Sequence, residues 1–433
     1  MSSNEFDSSA HGPDVANLRK VGLPPLPIEG AFNISGRFTD PGPEIYRVSS
    51  LDMALEDNDG SGWVELNLRD KRPQVLAEIT TEKIDLRPFL TKPDSNGIDE
   101  VQSAATDKKT DRVFSNTPWA LEALTLVDAD IRIRHKALLL RNLAINNTEV
   151  GILLKDGDLE ARPIRFEAGG GSITGQFSLR SQGKTPAVEL STRIDGLDVG
   201  QMLDQLGYPQ TIDGNLNADI VLNASGNFTA EMMAGLNGRM DIWMADGRVD
   251  HRYFNMLQGF LGSNILRLLN PFKSKKDRET VNCWVNHIEV NDGTADCILL
   301  LDTEQTNILA AGAIDLGTES INLGIKPTPK KGYGLNGVGT IGFSFKEFSK
   351  PLRLGGTLAK PVLGLDPKRT AFTMGKFAGA VALGPLGIAA FFSDISLGKK
   401  DPCAEVLEAF EKGDEDIKKQ LKKQGDWFQR IFR

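Results

Sequence analysis

The sequence is poor in the residues on which most catalytic and metal chemistry depends. Its 433 residues include only 4 histidines, 3 cysteines, 5 tryptophans and 4 tyrosines. The histidines His11, His135, His251 and His287 are scattered, and Cys283 with His287 is the one pair at a ligand-like spacing. Zinc needs a fuller set of ligands than such a pair supplies, so neither a metal site nor a cofactor is expected. No Gly-x-Ser-x-Gly elbow occurs, and no nucleophile has a histidine and a carboxylate in a recognisable context. Catalytic residues are therefore not expected, and the chain reads as a non-enzyme. The glycines from Gly332 to Gly339 suggest a phosphate loop, but they lack the Gly-Lys-Ser/Thr signature and run into a strand-like Thr340-Ile-Gly-Phe-Ser-Phe.

Other absences narrow the class further. Lys and Arg number 50 against 58 Asp and Glu, a formal net charge of −8 with a sequence pI near 5.3. Nucleic acid is thus excluded as the main partner, since phosphate binding needs a basic face. The first residues show no basic and apolar run of the signal-peptide kind. No stretch reaches the ~18–20 apolar residues of a spanning helix. The nearest, Phe377–Phe392, is interrupted by Gly379, Gly384, Pro385 and Gly387 and suits a buried or interfacial segment. Three cysteines leave at least one thiol unpaired within the chain. A Cys283–Cys297 or a Cys297–Cys403 bridge would suit an oxidising compartment, and the sequence leaves both open.

What is present is alternation and repetition. Residues 62–90 (GWVELNLRDKRPQVLAEITTEKIDLRPFL) and 175–203 (GQFSLRSQGKTPAVELSTRIDGLDVGQML) share a Gly-led strand, a polar turn with Pro, a second strand and an Ile-Asp-x-Leu-like ending. A companion unit begins at Ile28 and again at Ile212, and a variant runs from Ala311 to Ile325. Inside these units apolar and polar residues alternate: Val64, Leu66 and Leu68 with Glu65, Asn67 and Arg69, and Ile131 and Ile133 with Arg132 and Arg134. Period two marks half-buried strands with one wet face. Asp156-Gly157, Gly169–Gly171 and Asp292-Gly293 supply hairpin turns. The fold class expected from this pattern is mainly β, an elongated antiparallel meander, with a few amphipathic helices toward the C-terminus.

The domain reading follows the composition. Residues 1–27 form an N-terminal tail, 28–90 a β-repeat segment and 91–116 a polar, flexible linker. Residues 117–370 form a longer β domain with a helix near 250–270, where Phe254, Leu257, Leu261, Ile265 and Leu268 recur at helical spacing before Pro271. Residues 371–400 are apolar and rich in small residues, and 401–433 read as a charged amphipathic helix.

Several stretches, in order, resemble the C-terminal region of the AsmA family. They are Ile84–Leu90; Arg112–Ser115 with Leu124 and Asp128–Ile133; and Leu159–Phe166 leading into Gly169–Gly175. Further on come Val281–Gly293 with Asp302-Thr303, Gly312–Leu316 and Ile321–Leu323, then Pro351–Pro361 followed by Cys403. Together they span most of residues 28 to 405; each is weak alone, and their order is the specific signal. The resemblance implies a protein anchored in the inner membrane by an N-terminal helix, with its bulk in the periplasm. It also implies that the elongated antiparallel meander is curled into a repeating β-groove, with residues 117–370 as the β-groove domain, and roles in outer-membrane biogenesis and phospholipid transport between the membranes. The N-terminal anchor is not in this sequence, so attachment to the inner membrane is expected through a segment absent from it.

On that reading the partners are phospholipids, the surface of the inner or outer membrane, and other envelope proteins. An apolar strand face suits the task, because a diacyl lipid exposes some ~30 methylenes, on the order of 25 kcal/mol of hydrophobic free energy. Val64, Leu66, Leu68, Ile131, Ile133, Leu138, Leu140, Ile152, Leu154, Phe177, Leu179, Ile220 and Leu222 are the candidates for the lipid groove. Phe377, Phe391, Phe392, Trp427, Phe428 and Phe432 are candidates for a membrane interface. The same alternation also describes a closed sandwich whose apolar face is its core. A protein-binding assembly factor for outer-membrane proteins is the functional alternative.

Overall fold

The computed structural model describes residues 5–15, 30–87, 112–140, 142–181, 183, 185–250, 278–304, 306–329 and 352–364. The fold is mainly β, as expected, and it divides into two compact units. The first takes residues 1–110, 118–197 and 201–209; the second takes 111–117, 198–200 and 210–433. This division falls inside the 117–370 segment that the sequence presents as one domain. The expected helices near 250–270 and at 401–433, the apolar 371–400 segment and the Gly332–Gly339 loop lie outside the described residues.

The first unit is built on ten strands: β1 (Glu5–Gly12), β2 (Phe32–Gly42), β3 (Ile45–Leu55), β4 (Asn58–Asn67), β5 (Gln74–Asp85), β6 (Asp128–Leu140), β7 (Leu143–Lys155), β8 (Asp158–Ala168), β9 (Gly171–Arg180) and β10 (Ala187–Asp198). Each pairs with the next in chain order. The two copies of the internal repeat are the β4–β5 and β9–β10 hairpins. The proposed turns are present as well. Asp156-Gly157 and Gly169-Gly170 hold consecutive positive φ values of 54° and 87°, and of 52° and 73°. That is the backbone of the primed hairpin turns, whose twist matches the flanking strands.

Two features depart from the expected architecture. β5 and β6 pair in parallel, with Ala77 opposite Ile131 and Thr81 opposite His135. The chain between them, residues 86–127, is long enough for the crossover that a parallel pair requires and a tight hairpin cannot give. Residues 5–12 of the expected tail form β1, although the strand is polar and exposed. Pairing along β2 satisfies its backbone, and Arg37 reaches Asp7 at 2.9 Å across the pair.

The register shifts between β2 and β3, β3 and β4, β7 and β8, and β8 and β9. Each such bulge bends its strand and raises the local twist, which is how a long meander coils into a groove. Gly62 sits at one of them with φ 144°, and a Cβ there would lie 1.9 Å from the carbonyl oxygen of Glu78. Only glycine fits.

The second unit holds β11 (Ile212–Ser225), the short helix α2 (Thr229–Ala234), β12 (Asn237–Asp250), β13 (Arg278–Asn291), β14 (Thr294–Thr303), β15 (Thr306–Asp315), β16 (Ser320–Pro329), β17 (Leu352–Gly356) and β18 (Pro361–Gly364). A helix α1 (Val199–Gln205) precedes it. The strands again pair in chain order, all antiparallel. Asp292-Gly293 makes the β13–β14 turn with φ 43° and 72°.

A buried carboxylate ties the chain at 112–114 to this unit. Glu319, fully buried in the β15–β16 turn, accepts hydrogen bonds from the backbone N–H of Val113 at 2.7 Å and of Phe114 at 3.0 Å, and from Arg112 at 3.3 Å. Burial alone would raise its pKa. The donated bonds from Phe114, Val113 and Arg112 outweigh that, and the carboxyl stays below its ordinary value.

Candidate functional site

In the first unit, strand register assembles an apolar face from residues far apart in sequence. Side chains opposite one another on paired strands share a face, so the pairings can be followed from strand to strand. One row runs Phe6, Phe38, Val48, Val64, Ala77, Ile131, Ile152, Ala161, Phe177, Leu190, one residue from each of the ten strands. Every member is apolar. Ten strands at ~4.8 Å spacing make this row about 43 Å long. At its β1 end the rings of Phe6 and Phe38 lie 5.0 Å apart, and those of Phe38 and Tyr46 6.2 Å apart.

Two flanking rows widen the band. One runs Tyr46, Leu66, Val75, Ala129, Leu154, Leu159, Leu179, Val188. The other runs Leu51, Gly62, Ile79, Ile133, Val150, Ile164, Gly175 and ends at Thr192. Two steps of two residues at ~3.4 Å make the band about 14 Å wide between its outer rows.

The central row of the band is crowded but open, whereas Ala129, Leu154 and Leu179 in one flanking row are buried. Of the ten residues in the central row only Ala77 is buried, and Phe6 is 53% exposed. A face sealed beneath a second layer would bury nearly all of them, so this unit does not match the closed-sandwich alternative.

The opposite face is wet and charged. Arg134 bonds Glu78 at 2.7 Å and lies 3.5 Å from Glu149, which Arg165 reaches at 2.7 Å. These four residues form a ladder over β5, β6, β7 and β8. Such exposed pairs are each worth about 0–1 kcal/mol; their main effect is to keep this face in water and fix the register.

Most of the predicted groove residues meet on the apolar face. Val64, Leu66, Ile131, Ile133, Ile152, Leu154, Phe177 and Leu179 all belong to the three rows. Leu68 lies just past the end of β4 and is 39% exposed. Leu138 and Leu140 do not join: they stand at odd spacing from Ile131 and Ile133 on β6, whose register with β7 is unbroken, and so face the charged side with Ile145 and Leu143. The run Ala137–Leu140 is apolar on both parities, so its alternation could not settle the face. Ile220 and Leu222 belong to the second unit. The membrane-interface candidates Phe377, Phe391, Phe392, Trp427, Phe428 and Phe432 lie outside the described residues. Missed from the sequence were Phe38, Tyr46, Val48 and Leu190, although Tyr46-Arg-Val48 and Val188-Glu-Leu190 carry the same alternation.

The second unit continues the pattern with a difference. Ile220, Met240, Ile288, Cys297, Gly312, Leu323, Leu354 and Leu363 form a row through its eight described strands. Here, however, the other face of the central strands is buried too: Val281, Cys283, Val285, Ile298, Leu300, Ala311 and Ala313 are each at most 7% exposed. Cys297 carries a free thiol whose pKa burial pushes up to about 12. Cys283 is disulfide-bonded. Neither bridge considered from the sequence forms, since both required Cys297. Among the described residues no cluster of His, Cys, Asp and Glu could hold a metal ion, and no helix is long and apolar enough to cross a membrane.

In the first unit, an open meander with one apolar and one charged face defines a β-groove scaffold. The comparisons agree with that class: the AsmA family model matches residues 54–299. The chain belongs to the AsmA family, a family linked to envelope and outer-membrane biogenesis. It is similar to the AsmA family protein YhjG of Escherichia coli (strain K12), 22% identical over 419 residues that cover 92% of this chain and 58% of the relative. The chain thus spans a little over half the length of that protein. No solved structure matches it.

Proposed function

We propose that this protein is a non-enzymatic, periplasmic lipid-handling scaffold that shields phospholipid acyl chains along its apolar strand face during transport between the inner and outer membranes. The observation that carries the reading is the unbroken apolar row from Phe6 to Leu190. Acyl chains gain ~0.8 kcal/mol per methylene removed from water, and a row without a polar gap lets them advance without a large barrier at any strand. Half-exposure of the row leaves it accessible, and the charged opposite face keeps the sheet soluble. The disulfide at Cys283 supports an oxidising compartment.

The test is the phospholipid that co-purifies with the protein from a Gram-negative periplasm, quantified by mass spectrometry. Ile152→Asp, in the middle of the row, is expected to reduce bound lipid at least tenfold. Leu153→Asp, one residue away on the charged face and already 40% exposed, is expected to leave it unchanged. Lipid-free wild-type protein, or equal losses in the two variants, would refute the proposal.

A further inference from the structure

The apolar band ends along one side in a polar row that is buried at two of its three positions. Next to Ile79, Ile133 and Val150, two residues further along β5 and β6 and two back along β7, come Thr81, His135 and Thr148, in mutual register. Thr81 is 4% exposed and His135 7%. The Thr81 Oγ1, both ring nitrogens of His135 and the Thr148 Oγ1 are buried without a hydrogen-bond partner, four of only nine such side-chain atoms among the described residues. Buried polar atoms are normally paired, because an unpaired one forfeits its hydration without return. Finding four together on one row of an otherwise apolar face marks a place where a ligand supplies the partners. Beyond it the next row brings Lys83, Ala137 and Asn146, so the polar side chains continue on β5 and β7 but not on β6.

We propose that Thr81, His135 and Thr148 form a hydrogen-bonding subsite for the phosphate-ester head of an acyl lipid whose chains lie on the adjoining apolar rows. The inference rests on the lipid-scaffold reading and adds to it the position and chemistry of the head group. Two hydroxyls and an imidazole can direct three hydrogens at one group, and a phosphodiester is all acceptor. The three side chains span about 10 Å across the strands, the scale of a glycerophosphate. A metal ion does not suit the row, which offers a single imidazole and two hydroxyls. Burial lowers the His135 pKa, so the ring is a neutral donor-acceptor in the absence of an anion.

The test compares binding of dioleoylphosphatidylglycerol, dioleoylglycerol and glycerol 3-phosphate, the lipids presented from the same detergent micelles. Wild-type protein is expected to favour the phospholipid over dioleoylglycerol about tenfold or more, the effect of one charge-assisted hydrogen bond. Glycerol 3-phosphate alone is expected not to bind. His135→Phe should bring the lipid ratio close to one while dioleoylglycerol binding stays unchanged. It should also melt no lower than wild type, since it removes unpaired polar atoms. If His135→Phe folds poorly, Thr81→Val and Thr148→Val carry the same test with smaller drops. Undiminished preference in these variants overturns the subsite, as does His135-dependent binding of free glycerol 3-phosphate. Binding of neither lipid by the wild type overturns the scaffold reading beneath it.

Discussion

The two units use the same meander, yet they bury it differently. In β6 of the first unit, Ile131 and Ile133 face the apolar band while Arg132 and Arg134 stand exposed. In β14 of the second, Ala295, Cys297, Ile298, Leu300, Asp302 and Thr303 are buried, drawn from both faces. A strand wet on one side needs alternation, whereas one dry on both sides reads as a continuous apolar run. The sequence of β14, Cys297-Ile-Leu-Leu-Leu301, is such a run. On the proposed function the difference separates binding from stability: the open face of the first unit leaves its surface available to a ligand, and the closed strands of the second give theirs to the fold.

The largest expected effect tests that division directly. Leu300→Ala, at 4% exposure, should cost about 2–5 kcal/mol by the lost burial and the cavity left behind. Leu153→Ala, on the charged face of the first unit, should change stability by less than about 0.5 kcal/mol. Urea unfolding monitored by circular dichroism separates the two. Equal costs would remove the distinction between the units.

A smaller effect appears with acid. In the first unit Asp85 is held at a pKa of about 2, chiefly by its hydrogen bonds with Arg87. Its folded pKa lies below the unfolded value, so the unfolded chain binds the proton more tightly. The stabilisation is therefore complete above pH ~4 and lost as pH falls toward ~2. In the second unit Glu319 has the same sign, its pKa being lowered, but Asp296 has the opposite one. Burial and the nearby Glu289 raise the Asp296 pKa, so protonating it favours the fold as pH falls. Asp85→Asn should flatten the acid loss of the first unit, and Asp296→Asn should stabilise the second at neutral pH. Stability measured against pH for each variant checks both signs; a steeper acid loss in Asp85→Asn, or a destabilised Asp296→Asn at neutral pH, would reverse the assignment.

Much of this was legible in the sequence because strands and primed turns are local. The Asp-Gly and Gly-Gly turns, the two repeat hairpins and the inward residues of β4 and β9 follow from period two alone. The parallel β5–β6 pair was not legible, since nothing within either strand records the direction of its neighbour. Leu138 and Leu140 failed where alternation stops carrying information, at an apolar run that fits either face. The polar row was hidden for a different reason. His135 stands between Arg134 and Lys136 in sequence, and only the register places it between Thr81 and Thr148.

The central claim is that the apolar face, and not the sheet in general, holds lipid. Photo-crosslinking amino acids placed singly at Val64, Glu65 and Leu66 on β4, and at Ile131, Arg132 and Ile133 on β6, test it in living cells. The account predicts phospholipid adducts at Val64, Leu66, Ile131 and Ile133 and none at Glu65 or Arg132. Adducts at all six positions, or at none, would contradict it.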